Sequence, residues 1–200
     1  MPTTSTIERL NVLPASFTAQ EARTKGLSWP ALYELRDDGR LLELSRGVYR
    51  KADAPPIAEI DLRAVYLRSP HGMICLVSAL QHWQLTDDMP AAVDLAIPRP
   101  MHRPKIDRPK TRVYVFDTDT FQAGREYVDL GAGEPIAISS VERTIVDCLR
   151  LRHDLGSDLA YRALREYLGR SGPQRHGELM KMAETLRVRT ILLDAFEVLL

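Results

Sequence analysis

Within its first fifty residues the chain sets three short helix patterns and a glycine hairpin in immediate succession. Ser5–Leu10 is a short helical stretch. Thr18 with Glu21 three residues on is a capping box that opens a second helix, and Gly26 is placed to stop it. Ser28 opens a third, with Pro30 in the first turn, where a missing N–H costs nothing. Leu32 and Leu35 give that helix an inward face, and Gly39 ends it. Leu41–Leu44 and Val48–Lys51 then read as two strands around a Ser45-Arg46-Gly47 turn. This order of elements is that of a winged helix-turn-helix.

The Pro-rich Ala52–Pro56 marks the expected domain boundary, with residues 1–54 as the winged helix and 55–200 as a second domain. In the second domain, Ile57–Leu67 has helical spacing, and Ser78 caps a helix through Trp83. Met73–Val77 is an apolar run that fits helix or strand. Strands are expected at Ala92–Ile97, Arg112–Phe116, Tyr127–Leu130 and Pro135–Ile138. Ser139 and Glu142 form a second capping box ahead of a helix to about Arg152, and three further helices follow, the last at Ile191–Leu200. The expected fold is α/β (α+β): a winged helix, a mixed-sheet region over 57–138 and a helical part over 139–200.

In a winged helix the third helix enters the major groove and the hairpin lies along the backbone or minor groove. The candidate DNA-facing residues are therefore Lys25, Ser28, Trp29, Tyr33 and Arg36 around that helix, and Arg40, Arg46, Arg50 and Lys51 on the wing. Asp37 and Asp38 oppose this, since they would lie near phosphates; a winged helix that contacts protein is the competing reading.

Charge is unevenly spread along a chain whose formal net charge is zero. Residues 98–112 hold six basic side chains and one acidic one in a stretch stiffened by prolines, which block strand pairing. Arg99, Arg103, Lys105, Arg108 and Lys110 are candidate contacts there, to DNA outside the operator core or to an acidic protein face; a solvated loop is as good a reading. Arg143 and Asp147, four apart on one helix, can pair. An ion pair that orients the helix is the preferred reading of Arg143 over a partner contact.

Three segments carry a resemblance. Gly39–Tyr49 (GRLLELSRGVY) resembles the wing of AbiEi-family antitoxins of type IV toxin–antitoxin systems. Ser78–Trp83 (SALQHW) and Ser139–Leu149 (SSVERTIVDCL) look like recurring pieces of that family's antitoxin domain. Glu43 departs from the pattern, standing where related wings often carry a basic residue. The resemblance implies a cytoplasmic phage-defence antitoxin that represses its own operon by binding inverted repeats and counters a nucleotidyltransferase-like toxin. The alternative is a winged-helix regulator of another operon, with a second domain that senses a ligand or a different protein.

Several function classes fall away on sequence grounds. None of the residues two before a Lys (Arg23, Tyr49, Arg103, Arg108, Leu179) is acidic, so the restriction-nuclease signature is missing. There is no P-loop, GxSxG or HExxH motif, and the five His offer no zinc pair. No enzyme activity, cofactor or metal is expected. Glu8 and Arg9 interrupt any export signal, and Cys75 and Cys148 lack metal spacing, as in a cytosolic chain. Ile191–Leu200 is rich in apolar residues. Either it is buried on all sides, or it joins two copies of a monomeric protein on paired DNA sites.

Overall fold

The computed structural model describes residues 2–131, 133–170 and 172–199, without the side chains of 173 and 174. The chain divides into two compact units, each α+β. The first comprises 1–70 together with 104–111 and 128–136, and the second 71–103, 112–127 and 137–200.

The first unit opens with α1 (Thr4–Asn11), β1 (Ser16–Thr18), α2 (Ala19–Thr24) and α3 (Trp29–Asp37). The hairpin β2 (Leu41–Ser45) and β3 (Val48–Lys51) follows, then α4 (Ile60–Arg68). The capping box on α2 forms as expected: Glu21 N donates to Thr18 Oγ1 (3.2 Å) and Thr18 N to Glu21 Oε2 (2.6 Å). Gly26, at φ +83°, makes the tight turn between α2 and α3, and its carbonyl accepts from Arg9 Nη1 at 2.7 Å. Leu10, Phe17, Ala22, Leu27, Leu32, Leu35, Leu41 and Tyr49 form one core beneath this frame.

Two sequence expectations are corrected here. Ser16–Thr18, too short to read as a strand, pairs antiparallel with β3, with Phe17 opposite Tyr49, so the sheet order is β1-β3-β2 and β3 is its central strand. The boundary at Ala52–Pro56 does not close the first unit, because α4 packs against β1, β2 and β3 and belongs with them. On α4, Leu62, Ala64 and Val65 are buried.

The second unit holds most of a five-stranded sheet ordered β6-β5-β4-β8-β7. Its strands are β4 (Met73–Ile74), β5 (Val93–Pro98), β6 (Thr111–Phe116), β7 (Arg125–Asp129) and β8 (Pro135–Ser139). β4 runs antiparallel to β5 and parallel to β8, so the sheet is mixed. The ambiguous run at Met73 splits: two residues form β4 and the rest begins α5 (Leu76–His82). The helices are α6 (Val141–Arg150), α7 (Arg152–Leu155), α8 (Ser157–Arg170), α9 (Pro173–Thr185) and α10 (Arg189–Leu199). The cap of α6 is Ser140, which accepts from Arg143 N at 3.2 Å; Ser139 instead meets the Thr144 hydroxyl at 2.6 Å. On α10, Leu192 and Ala195 point inward while Leu193 and Val198 are exposed; Leu200 lies outside the described residues. Among the described residues no helix is long and apolar enough to cross a membrane.

Candidate nucleic-acid interface

Helix α3 is amphipathic by construction. Ser28 accepts from Ala31 N (3.3 Å) and Pro30 occupies the first turn, which together fix where the helix starts. Leu32 and Leu35 are wholly buried, and that commits the opposite side to solvent. There Trp29 and Tyr33 are 41% and 45% exposed, with ring centroids 6.2 Å apart, and the Arg36 guanidinium lies 5.1 Å from the Tyr33 ring centre. Two large aromatic rings left in water on one helix are uncommon unless something else covers them.

Arg36 is shared with acids. It donates to Asp37 Oδ1 at 3.0 Å and to Glu43 Oε2 at 3.2 Å, and these carboxylates, Asp37 foremost, hold its pKa above the usual value. Glu43 also accepts from Gly47 N through its other oxygen (3.3 Å), so one carboxylate braces the wing turn and holds α3's arginine. Glu43 thus has a visible role in the structure.

The wing is held at its tip from two sides. Ala19 N donates to Gly47 O at 2.8 Å, and Arg68 Nη1 to Arg46 O at 3.0 Å. The register shifts between Glu43 and Ser45, and a shift of this kind bends a hairpin. Residues of α2, Trp29 and Tyr33 of α3, Arg46 and Gly47 of the wing, and Leu67 and Arg68 of α4 line an open groove of about 1340 Å³.

Of the sequence candidates, Lys25, Ser28, Trp29, Tyr33, Arg40 and Arg46 are exposed in this unit. Arg50 and Lys51 are not part of that surface. Because β3 is central, Arg50 is flanked by Ser16 and Leu42; it is 3% exposed and donates to Ser16 Oγ, the Glu134 carboxylate and the Pro55 carbonyl. Lys51 turns its Nζ onto the carbonyls of Leu13 (2.6 Å) and Asn11 (3.3 Å), and partial burial lowers its pKa against the pull of Asp53. Both are structural cations. Reading the hairpin as two strands left β3 with an open side; the third strand removes it.

In the second unit, Arg143 is wholly buried, so it contacts no partner. It donates to Asp147 Oδ2 (2.6 Å) and to the carbonyls of Thr120 (2.7 Å) and Ala123 (2.6 Å). The orienting ion pair is what the structure contains. Arg150 reaches the other Asp147 oxygen at 2.8 Å. Arg99 and Arg103 are exposed in the second unit; Lys105, Arg108 and Lys110 are exposed in the first. The thiols of Cys75 and Cys148 are free and buried. Among the described residues no group of three or more His, Cys, Asp or Glu is placed to hold a metal.

Arg63, Arg68 and Glu134 support the site, and sequence reasoning missed all three. A basic residue in a helix's last turn, as Arg68 is, reads as a partner of the helix dipole and carries no further signal.

No family model and no curated protein matches the chain. Among solved structures, the chain is similar to the RV2827C protein from Mycobacterium tuberculosis, at 17% identity and a TM-score of 0.52. The similarity covers 96% of this chain and 82% of that one, and at this identity it is a likeness of fold.

Proposed function

We propose that the chain is a DNA-binding autorepressor and antitoxin of a type IV toxin–antitoxin system, acting in the cytoplasm on inverted repeats in its own promoter. The observation that carries the DNA half is the solvent face of α3: Trp29 and Tyr33 exposed, Arg36 stacked beside them, Arg46 at the tip of the adjoining wing. Aromatic surface suits thymine methyls in the major groove, a backbone N–H at the start of α3 suits a phosphate, and Arg46 suits the groove edge. The antitoxin half rests on the resemblance through Ser78–Trp83 and Ser139–Leu149. Both segments are built into one unit: Trp83 Nε1 donates to Ser139 O at 2.8 Å. In this reading the protein is a monomer that pairs on the two repeats, and the exposed Leu193 and Val198 of α10 are the candidate contact between copies.

The test uses the promoter duplex directly upstream of the chain's own coding sequence. The wild-type chain binds it, Tyr33→Ala and Arg46→Ala bind it more weakly, and co-expression with a neighbouring nucleotidyltransferase-like gene relieves that gene's toxicity. No binding to the promoter defeats the autorepressor half, and unrelieved toxicity defeats the antitoxin half.

A further inference from the structure

Arg68 joins two segments far apart in sequence. Its Nη1 donates to the carbonyl of Arg46 at the wing tip (3.0 Å) and its Nη2 to the carbonyl of Lys105 (3.3 Å). One planar guanidinium thus sets two backbones side by side, and the exposed side chains of Arg46 and Lys105 leave from neighbouring points. The second backbone is anchored. Ile106 is 7% exposed, residues 107–110 form a turn, and Thr111 Oγ1 donates to Pro109 O at 2.9 Å. Arg108 and Lys110 are exposed on that turn. Pro104 and Pro109 have no N–H to give a neighbouring strand, so the segment stays apart from the hairpin it lies beside. Residues 104–111 belong to the same compact unit as the winged helix.

We infer that residues 104–111 act as a second wing, carrying Lys105, Arg108 and Lys110 to the phosphates of duplex DNA that flanks the stretch gripped by α3 and the β2–β3 hairpin. The inference rests on the DNA-binding reading above. Charge is the reason for choosing DNA. The hairpin tip offers Arg46, and Arg36 is shared with two carboxylates, so the three exposed cations of this segment, against one acid, Asp107, add substantially to the cationic surface beside the wing. A duplex presents a phosphate charge about every 1.7 Å of its axis, so any cation held along it finds a partner. An acidic protein face would have to match three fixed positions.

The experiment measures anisotropy of the labelled promoter duplex across a KCl series with the full chain. Lys105→Ala/Arg108→Ala/Lys110→Ala lowers the slope of log affinity against log salt by about 2 to 3, at roughly 0.9 for each phosphate no longer neutralised. Trimming the duplex flanks brings wild type down to the triple variant and leaves the triple variant unchanged. Asp107→Asn moves affinity the other way. A triple variant with wild-type slope, while Arg46→Ala still weakens binding, overturns the second wing and leaves the DNA reading intact. So does a triple variant that binds DNA normally but fails to relieve the toxin, which would place these cations on a protein. A wild-type chain that does not bind the duplex overturns both.

Discussion

Arg50 and Glu134 stand 84 residues apart in sequence, yet their side chains form an ion pair with only 4% and 3% of their surface exposed. Arg63 Nε lies 3.8 Å from the other Glu134 oxygen, and its Nη1 donates to Pro135 O at 2.5 Å. Asp129 fixes the turn that presents Glu134, accepting from the N–H groups of Gly131 (2.9 Å), Gly133 (3.2 Å) and Glu134 (2.9 Å). A buried charge is tolerable when matched and costly when left alone. Glu134→Ala strands two cations, whereas Arg50→Ala leaves the carboxylate with Arg63. We expect Glu134→Ala to cost about 3–5 kcal/mol in urea unfolding and Arg50→Ala to cost less. Equal losses would show that Arg63 does not share the carboxylate.

The same pair bears on truncation. A fragment of residues 57–200 lacks Arg50 and the sheet that covers α4, so Leu62, Ala64 and Val65 lose their cover and Glu134 loses its main partner. We expect that fragment to aggregate or to show weakened protection of α4 in hydrogen exchange. A fragment with native-like exchange in α4 would restore a boundary at Ala52–Pro56.

Gly124 separates crowding from backbone strain. It sits at φ +64°, and an added Cβ would come within 2.8 Å of both Arg143 Cβ and Met182 Cε. Gly39 has a similar φ of +73° with nothing within 4 Å. Left-handed strain costs each alanine variant about 1–2 kcal/mol, and overpacking adds about 1–3 kcal/mol at Gly124 alone. Thermal melting of the two variants should therefore differ clearly, with Gly124→Ala the lower. Matching melting temperatures would mean that α6 and α9 yield easily around this turn.

Asp94 gives a pH signature. Burial raises its carboxyl from 3.8 to about 6, opposed by Arg112 and by the backbone N–H groups of Val77 and Ser78. A raised carboxyl pKa means that the folded protein binds the proton more tightly than the unfolded one. This group's contribution is therefore full below pH 3.8 and is lost as pH rises through 6, an amount on the order of 3 kcal/mol. Asp94→Asn keeps an oxygen for Val77 N, which donates to Asp94 Oδ2 at 3.2 Å. The variant should match wild type near pH 4 and exceed it in urea midpoint at pH 8. Parallel curves for the two proteins would refute the shift.

What could be read from the sequence follows the range of the forces involved. Caps, glycine turns and the Leu32/Leu35 face are set within a few residues, and the helices of the winged helix form where those signals lie. Strand β1 has three residues, too few for an alternating pattern, and its pairing with β3 supplies Ser16 as one of the buried partners of Arg50. The partners of Arg50 and Arg68 lie on turns that come alongside only once the chain has folded, and no local pattern marks them. Arg143 was legible because its partner is one helical turn away.

The acids around Arg36 yield the last prediction. Arg36 meets Asp37 Oδ1 at 3.0 Å and Glu43 Oε2 at 3.2 Å, all at the surface, where such pairs are weak and exchange readily for better partners. A phosphate or guanine edge approaching α3 has to draw the guanidinium from both carboxylates, and the same acids repel the DNA. Glu43→Gln removes one charge but retains an amide oxygen to accept from Gly47 N, so the wing turn is preserved. We expect Glu43→Gln to bind promoter DNA a few-fold more tightly than wild type. Arg36→Ala should then cost more affinity in the Glu43→Gln background than in wild type, because only there is the guanidinium released from Glu43. The coupling is read from a double-mutant cycle in one low-salt buffer, and it shrinks as salt screens the exposed charges. Independent effects of the two substitutions would show that Arg36 stays on its carboxylates when α3 meets DNA, leaving Trp29, Tyr33 and Arg46 to make the contact.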